Sequence, residues 1–242
     1  MKGLEVMRLS PIKTSVFQLG DDLGSFILTH AQAHLKEGMI LAITSKIVSL
    51  AENRIVPLDE VQKSDLVKRE SDHYFGEIGY GCHLTIKHGL FIPSAGIDES
   101  NAAGAYYILY PQNPFASAKR IYDLIRKELH LTQFGVILTD SHTQPLRRGV
   151  IGTCLSYWGF RGVKNMVGQK DLFGRELKMT QVNYADALAV SAVLMMGECA
   201  EQTPLAWLEA PVEFTEKTNP SELMIPIEED LYFPFFKGLI KT

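Results

Sequence analysis

Residues 94–101 read Ser-Ala-Gly-Ile-Asp-Glu-Ser-Asn, and residues 138–148 read Leu-Thr-Asp-Ser-His-Thr-Gln-Pro-Leu-Arg-Arg. In each stretch an aspartate, Asp98 or Asp140, follows shortly after a run of apolar residues. An apolar run that stops at Asp and small polar residues indicates a buried strand whose end opens onto a polar site. Open sheets bind their ligands at such ends. The two stretches therefore predict a shared polar site.

Oxygen-bearing side chains in these stretches are of the type that Mg²⁺ and Mn²⁺ prefer over sulfur or imidazole. The candidates are Asp98, Asn101, Asp140 and Ser141. Two arginines, Arg147 and Arg148, follow closely, and a cation beside arginines suits phosphoryl chemistry, in which developing negative charge must be balanced. The alternative is that each aspartate is a turn residue or helix cap and that the arginines form a solvated edge. The residues alone leave both interpretations open.

The bulk composition describes an ordinary globular protein. The chain has 242 residues, 46% of them hydrophobic and 21% charged, so it can bury a sizeable core. A formal net charge of −4 argues against a general nucleic-acid binder, which needs a cationic surface. The three cysteines suggest neither a disulfide framework nor a CxxC metal site. No apolar run approaches the roughly 18 residues of a membrane span, so we expect a cytoplasmic protein without membrane contact.

Apolar spacing predicts the order of the secondary-structure elements. Strands are expected over residues 4–7, 39–43, 83–87, 90–92, 106–110, 134–138 and 205–208, with 83–87 and 90–92 forming a hairpin. Helices are expected over residues 23–35, 60–69, 117–129 and 186–196, and turns or loops over 11–14, 74–81, 149–168 and 171–175. The glycine-rich residues 149–168 predict either a loop folded over a ligand or a set of ordinary turns.

Common catalytic and nucleotide-binding signatures are absent from the sequence, including GxxxxGK[ST], GxGxxG, HExxH and GxSxG. Glu198, which follows the helix predicted over 186–196, is a third acidic candidate for the shared site. Taken alone, the residues indicate a metal-assisted reaction on an anionic substrate.

Six separated segments, in this order, resemble the coenzyme F-420-0:gamma-glutamyl ligase family. They are TSKIVSLAENR (44–54), SAGIDESN (94–101), the proline-containing loop before ASAKRI, GVILTDSHTQPLRRGVIG (135–152), KDLFGREL (170–177) and ADALAVSAVLMMGE (185–198). The resemblance covers about residues 10–210. It implies a single α+β domain over 1–242, with mixed sheets, packed helices and a C-terminal extension at 211–242. It also implies an intertwined homodimer.

The resemblance further implies an amide ligase that uses GTP or ATP and two divalent cations, Mg²⁺ or Mn²⁺. Such an enzyme joins L-glutamate, through a gamma linkage, to a cofactor carboxylate that has first become an acyl phosphate. The cations shield the charge of two approaching anions.

Site residues carry over where this sequence matches the family's motifs. The metal ligands would be Asp98, Asp140, Ser141 and Glu198. The catalytic residues would be Asp98, Asp140, Arg147 and Arg148, with the arginines as phosphate or carboxylate clamps. The nucleotide- and cofactor-binding residues would be Pro11, Ile12, Lys13, Thr44, Ser45, Lys46, Asn101, Met195, Met196, Gly197 and Glu198.

Two departures from the family pattern bear on the acceptor. Leu50 stands where a cation is common, and Thr143-Gln144 stands where Gly-Arg is usual. Losing two positive groups suggests an acceptor other than the phosphate-bearing deazaflavin, and residues 11–14 look more like an offshoot proposed to glutamylate folates. We therefore expect a folate-type acceptor, with F-420-0 as the alternative. A metal-dependent phosphatase or nucleotide hydrolase and a non-catalytic nucleotide-binding protein are the other hypotheses.

Overall fold

The computed structural model describes residues 6–99 and 105–238. In chain order its strands are β1 (Arg8–Ile12), β2 (Met39–Thr44), β3 (Ile55–Pro57), β4 (His73–Glu77), β5 (His83–Lys87), β6 (Leu90–Pro93), β7 (Tyr106–Ile108), β8 (Phe134–Thr143), β9 (Val150–Trp158), β10 (Val163–Asn165), β11 (Gln181–Asn183) and β12 (Leu205–Glu209). Its α-helices are α1 (Leu23–Ala31), α2 (Ser45–Ala51), α3 (Lys63–Glu70), α4 (Pro114–Leu129), α5 (Tyr184–Met196) and α6 (Phe233–Phe236). The mixed α+β class predicted above is confirmed.

A five-stranded sheet, ordered β1-β12-β2-β8-β9, forms the centre of the fold. Strands β2 and β8 run parallel, and the other neighbouring pairs are antiparallel. Strand β2 is apolar on both faces: Leu41 and Ile43 join a core beneath α1, α2 and α4, whereas Ile40 and Ala42 join a second core beneath α5. This double burial explains why the residues before Thr44 are continuously apolar rather than alternating.

The two helices that cover the sheet begin at asparagine caps. The Asn113 side chain accepts a hydrogen bond from the Ala116 N–H at 3.1 Å, and Pro114 occupies the first helical position. These residues start α4 three positions before the predicted residue 117, because cap and proline favour a helix start. Helix α5 packs so closely on β9 that a Cβ added at Gly152 would lie 2.8 Å from the Ala189 carbonyl oxygen.

Smaller elements flank the central sheet. Strands β4, β5 and β6 form a three-stranded sheet, β3 pairs with β7, and β10 pairs with β11. Buried residues of α3 and β7, among them Leu66, Val67 and Tyr107, form a third apolar cluster with Ala95. In the C-terminal segment, the Phe236 ring lies 5.1 Å from the Phe91 ring, and the Tyr157 hydroxyl donates to Glu222 at 3.2 Å.

Several boundaries differ from those predicted. The turn predicted at 11–14 is wrong at its start, because Pro11 and Ile12 belong to β1 and pair with β12. Strand β1 lies at the sheet edge, where a proline without an N–H is tolerated. The loops predicted at 74–81 and 149–168 contain β4 and β9. Strand β8 continues through Asp140 to Thr143, because β9 supplies a ladder partner for these polar residues.

The predicted hairpin at 83–92, the amphipathic helix α4, the alanine-rich helix α5 and the inner strand β12 are confirmed. Across residues 6–99 and 105–238, every helix is too short or too polar to cross a bilayer.

Candidate active site

The parallel strands β2 and β8 bring two polar segments to one edge of the sheet. Thr44 and Thr139 form the last residue pair between these two strands. Because the strands are parallel, the residues that follow both threonines leave the sheet at the same edge. After Thr44 the chain enters α2, which carries Lys46, whereas β8 continues to Asp140. The predicted polar site at the carboxyl ends of adjacent strands is therefore formed.

Asp98 reaches the same edge from the β5–β6 hairpin. A tight turn follows β6, in which Ser94, Ala95 and Gly96 all have positive φ, of 51°, 54° and 69°. The Asp98 N–H then donates to the Ile108 carbonyl at 3.0 Å, and the Ile108 N–H donates back at 2.8 Å. This double hydrogen bond fixes the main chain of Asp98.

The Asp98 carboxylate forms an ion pair with Lys46, with Nζ and Oδ2 separated by 2.5 Å. Both side chains are partly exposed, at 27% for Lys46 and 35% for Asp98. The pair faces a cavity, so an arriving anion can reach the lysine without unfolding any element.

Asp140 is a partly buried carboxylate that accepts a hydrogen bond from the Tyr110 hydroxyl. Burial raises the pKa of Asp140 to about 6, and the negative charge of Asp98 adds to this rise. The Tyr110 hydroxyl, the Ser141 N–H and the Lys46 charge oppose it. Asp98 and Asp140 thus both lie near the Lys46 ammonium group. Its positive charge does not fully offset the cost of burying the negative charge of Asp140.

Ser141 and Glu198 complete the polar end of the site. The Ser141 hydroxyl donates to Glu198 Oε1 at 2.8 Å. Glu198 is delivered by the end of α5, where Gly197 adopts a positive φ of 83°. A carboxylate just beyond a helix C-terminus is disfavoured by the helix dipole, so a cation near Glu198 would relieve an unfavourable charge.

These side chains line a cavity of about 850 Å³. Its polar wall includes Thr44, Lys46, Asp98, Tyr110, Thr139, Asp140, Ser141, His142, Thr143, Glu198 and Glu201. Its apolar wall includes Val16, Phe17, Ile47, Leu50, Ile78, Tyr80, Ile92 and Ile97. A cavity that joins charged oxygen atoms to an apolar surface suits a substrate with an anionic end and a flat or apolar body.

Eight of the sixteen predicted site residues line this cavity. Those on its wall are Thr44, Lys46, Asp98, Asp140, Ser141, Met196, Gly197 and Glu198. Ser45 is buried in the first turn of α2 and is not on the wall, and Met195 is 51% exposed on the other side of α5. Asn101 lies outside the described residues.

The segment 11–13 does not enter the cavity as a nucleotide-binding loop. Pro11 and Ile12 are held in the sheet by β12. Lys13 donates to the carbonyl of Glu201 at 2.5 Å, and Glu201 itself lines the cavity. Lys13 therefore lies close to the cavity wall, whereas Pro11 and Ile12 are part of the central sheet.

The arginine pair is placed differently from the expectation. Arg147 and Arg148 lie in the exposed turn between β8 and β9 and do not line the cavity. The turn follows the last ladder pair of the hairpin, Thr143 with Val150, and both of those residues line the cavity. The two arginines therefore lie next to the cavity wall without being part of it, and their role as a clamp stays a prediction.

Sequence reasoning missed Tyr110 and the segment 199–204, which lines the cavity beside the end of β2, where the Thr44 N–H donates to the Pro204 carbonyl at 3.0 Å. The available signal for Tyr110 was its position at the end of an apolar run, which is the same signal that identified Asp140. Segment 199–204 carries no such pattern and is placed by the strand that follows it, β12.

The residues present fit a hard divalent cation by their chemistry. Carboxylate and hydroxyl oxygens of Asp98, Asp140, Ser141 and Glu198 surround the polar end, and burial opposes the charge of Asp140. Within 6–99 and 105–238, no three His, Cys, Asp or Glu side chains are close enough together to hold an ion. Glu198 would have to turn from Ser141 toward the two aspartates to complete such a set.

An acidic centre beside a cavity, at the end of a parallel strand pair in a mixed α+β fold, is the arrangement expected of an enzyme that acts on small molecules. A model of the F420-0:gamma-glutamyl ligase family matches residues 11–209. The chain therefore belongs to this family and is an amide-bond-forming ligase.

Similar proteins extend along nearly the whole chain. The coenzyme F420:L-glutamate ligase of Methanopyrus kandleri is 35% identical over 223 residues, which cover 84% of this chain and 87% of that protein. The ligase of the same name from Methanocaldococcus jannaschii is 31% identical over 239 residues, covering 91% and 94%. The one from Archaeoglobus fulgidus is 33% identical over 204 residues, covering 76% and 80%.

Proposed function

We propose that this chain is a nucleoside-triphosphate- and cation-dependent gamma-glutamyl ligase, which joins the amine of L-glutamate to a carboxylate of a cofactor. The observation that carries the proposal is the meeting of Asp98 and Asp140 beside Lys46 in one cavity. These residues come from separate segments, and the family match spans all of them.

The reaction would proceed in two balanced steps. An acceptor carboxylate oxygen attacks the terminal phosphorus of GTP or ATP, and the bond to the bridging oxygen breaks to release the diphosphate. The amine of glutamate then attacks the acyl carbon, the carbon–oxygen bond breaks, and phosphate leaves while the amine loses a proton. Both steps bring anions together, so catalysis depends on positioning and charge compensation.

Residues of this chain can supply that compensation. Lys46 lies beside Asp98 and can turn its ammonium group to a phosphate oxygen. Asp98, Asp140, Ser141 and Glu198 would hold Mg²⁺ or Mn²⁺, and a bound cation would shield the phosphate charge. The apolar wall at Leu50 would exclude water from the acyl phosphate.

The acceptor that the relatives support is coenzyme F-420-0, since the similar proteins carry the name coenzyme F420:L-glutamate ligase. We therefore place the deazaflavin acceptor ahead of the folate acceptor favoured by sequence reasoning. One observation supports a folate as second candidate. Leu50 is 7% exposed and lines the cavity, so an apolar side chain stands where the family commonly has a cation.

A homodimer forms part of the proposal. Large apolar side chains are exposed on the β8–β9 turn, in the segment between β10 and β11, and on α5. They include Leu146 at 102%, Leu172 at 98%, Phe173 at 86%, Met179 at 83% and Leu194 at 80%. Apolar exposure on this scale supports a protein contact, and a partner chain would also bring another surface to Arg147 and Arg148.

The test is direct glutamylation. Purified protein is incubated with GTP or ATP, Mg²⁺ or Mn²⁺, L-glutamate and either F-420-0 or a folate, and products are weighed by mass spectrometry. We expect the wild type to add glutamate to the deazaflavin, and the Asp140→Asn variant to form no adduct. Release of phosphate without an adduct would favour a hydrolase, and nucleotide binding without turnover would favour a non-catalytic protein.

A further inference from the structure

Tyr110 contacts the proposed centre but has no role in the chemistry described above. It is 4% exposed, and its ring lies directly against the backbone of Gly96. A Cβ added to Gly96 would lie 2.1 Å from Cζ of the Tyr110 ring. The Tyr110 ring therefore packs on the same turn that positions Asp98.

The main chain of Tyr110 is fixed independently of its ring. The Arg54 Nε–H donates to the Tyr110 carbonyl at 2.9 Å, and the adjacent Leu109 N–H donates to the Arg54 carbonyl at 2.9 Å. Arg54 is itself held by Glu70, with 2.6 Å between Nη2 and Oε2. Because both its main chain and its ring are held in place, the Tyr110 side chain points its hydroxyl at Asp140 Oδ2.

The Tyr110 hydroxyl is the donor in this contact, because a carboxylate oxygen only accepts. The phenol donates its hydrogen to Oδ2 and so occupies one lone pair of that oxygen.

We propose that Tyr110 is a positioning residue that holds Oδ2 of Asp140 and thereby orients the carboxylate so that Oδ1 can bind a divalent cation. The inference rests on the proposed function, because it assumes that Asp140 binds a cation. Hydrogen bonds from surrounding groups to metal-binding side chains set the orientation of those side chains, and their loss typically costs about 10- to 100-fold in metal affinity. A tyrosine that was buried for packing alone would show no such effect.

The test is the Tyr110→Phe variant, which keeps the ring against Gly96 and removes only the hydroxyl. Mn²⁺ affinity is measured by the loss of the free-ion electron paramagnetic resonance signal, and glutamylation is followed in parallel. We expect Mn²⁺ binding to weaken by about 10-fold or more. We also expect kcat to fall by a similar factor, whereas KM for the acceptor changes by less than about threefold. Tyr122→Phe is the matched control, because its hydroxyl accepts from Arg126 at 3.1 Å outside the cavity.

An Mn²⁺ affinity of Tyr110→Phe within about twofold of the wild type would overturn this role, as would a wild type that binds no Mn²⁺. Failure of the proposed ligase reaction has a different signature: the wild type would form no glutamate adduct with either acceptor. The Mn²⁺ titrations do not depend on that result. A Tyr110→Phe variant that binds Mn²⁺ weakly would therefore support the positioning role even if the acceptor were wrong.

Discussion

Replacing Asp140 by Asn should make the metal-free protein more stable at neutral pH while abolishing glutamylation. The substitution removes the charge, keeps the size of the side chain, and leaves an amide oxygen to accept from Tyr110. Stability should rise because burial opposes the ionised form of this carboxylate in the folded state.

The magnitude follows from the pKa. A rise from the ordinary value of 3.8 to about 6 in the folded protein corresponds to about 3 kcal/mol of lost stability once Asp140 is ionised. The attraction of Lys46 is already contained in that value. An unpaired amide N–H in the variant would cost about 1 kcal/mol. The net gain is therefore about 2 kcal/mol, or roughly 4 to 8 °C in Tm for a chain of this size.

Because the pKa of Asp140 is raised in the folded state, the wild type loses stability as the pH rises. Below pH 3.8 both the folded and the unfolded states hold the proton, so the wild type bears no penalty. As the pH rises from 3.8 to about 6, the unfolded state ionises first and the wild type loses stability, which the Asn variant does not. About half of the 3 kcal/mol penalty is present at about pH 5, and nearly all of it at about pH 7.5.

Thermal unfolding is followed by circular dichroism in EDTA at about pH 5 and about pH 7.5. The gain in Tm of Asp140→Asn over the wild type should be larger at the higher pH. Asp123→Asn is the control, because it makes the same substitution at a carboxylate that is 54% exposed on α4, outside the cavity. Equal Tm differences at both pH values, or a less stable variant at neutral pH, would refute the argument.

Three further perturbations test the site and its support. Asp98→Ala should reduce turnover by at least about 100-fold with little change in Tm, because it removes a partly exposed carboxylate from the cavity wall; near-normal kcat would remove Asp98 from the site. Gly96→Ala should destabilise the fold by about 2 to 4 kcal/mol in urea, because its Cβ would strike Tyr110. Gly168→Ala is the control, because Gly168 also has a positive φ of 83° but has no atom within 4 Å of an added Cβ. If both variants lost the same free energy of unfolding, the clash with Tyr110 would be contradicted. Leu172→Asp should convert a homodimer to monomers in light scattering, since this side chain is 98% exposed; an unchanged molar mass would exclude that contact.

Local patterns in the sequence determined the elements whose reasons are local. Strand β2 was predictable because both its faces are buried and its apolar run is unbroken. Helix α4 was predictable from its apolar stripe, and the β5–β6 hairpin from two short runs around His88-Gly89. The polar ends of β2 and β8 marked Lys46 and Asp140 for the same reason, because a buried strand must stop where its side chains reach a polar cavity.

Tertiary structure alone decided which of these polar groups interact. The polar residues 140–143 and the glycine-rich segment after 149 do not look like strands in the sequence. Each nevertheless forms a strand, because the other supplies its hydrogen-bond partners. The ion pair of Lys46 with Asp98 and the hydrogen bond of Tyr110 to Asp140 join residues whose spacing in sequence carries no signal. Arg147 shows the reverse, since a position that matches a family motif lies in an exposed turn outside the cavity wall. Hydrogen-bond partners and desolvation depend on what the rest of the chain places nearby, so they become defined only when the fold closes around them.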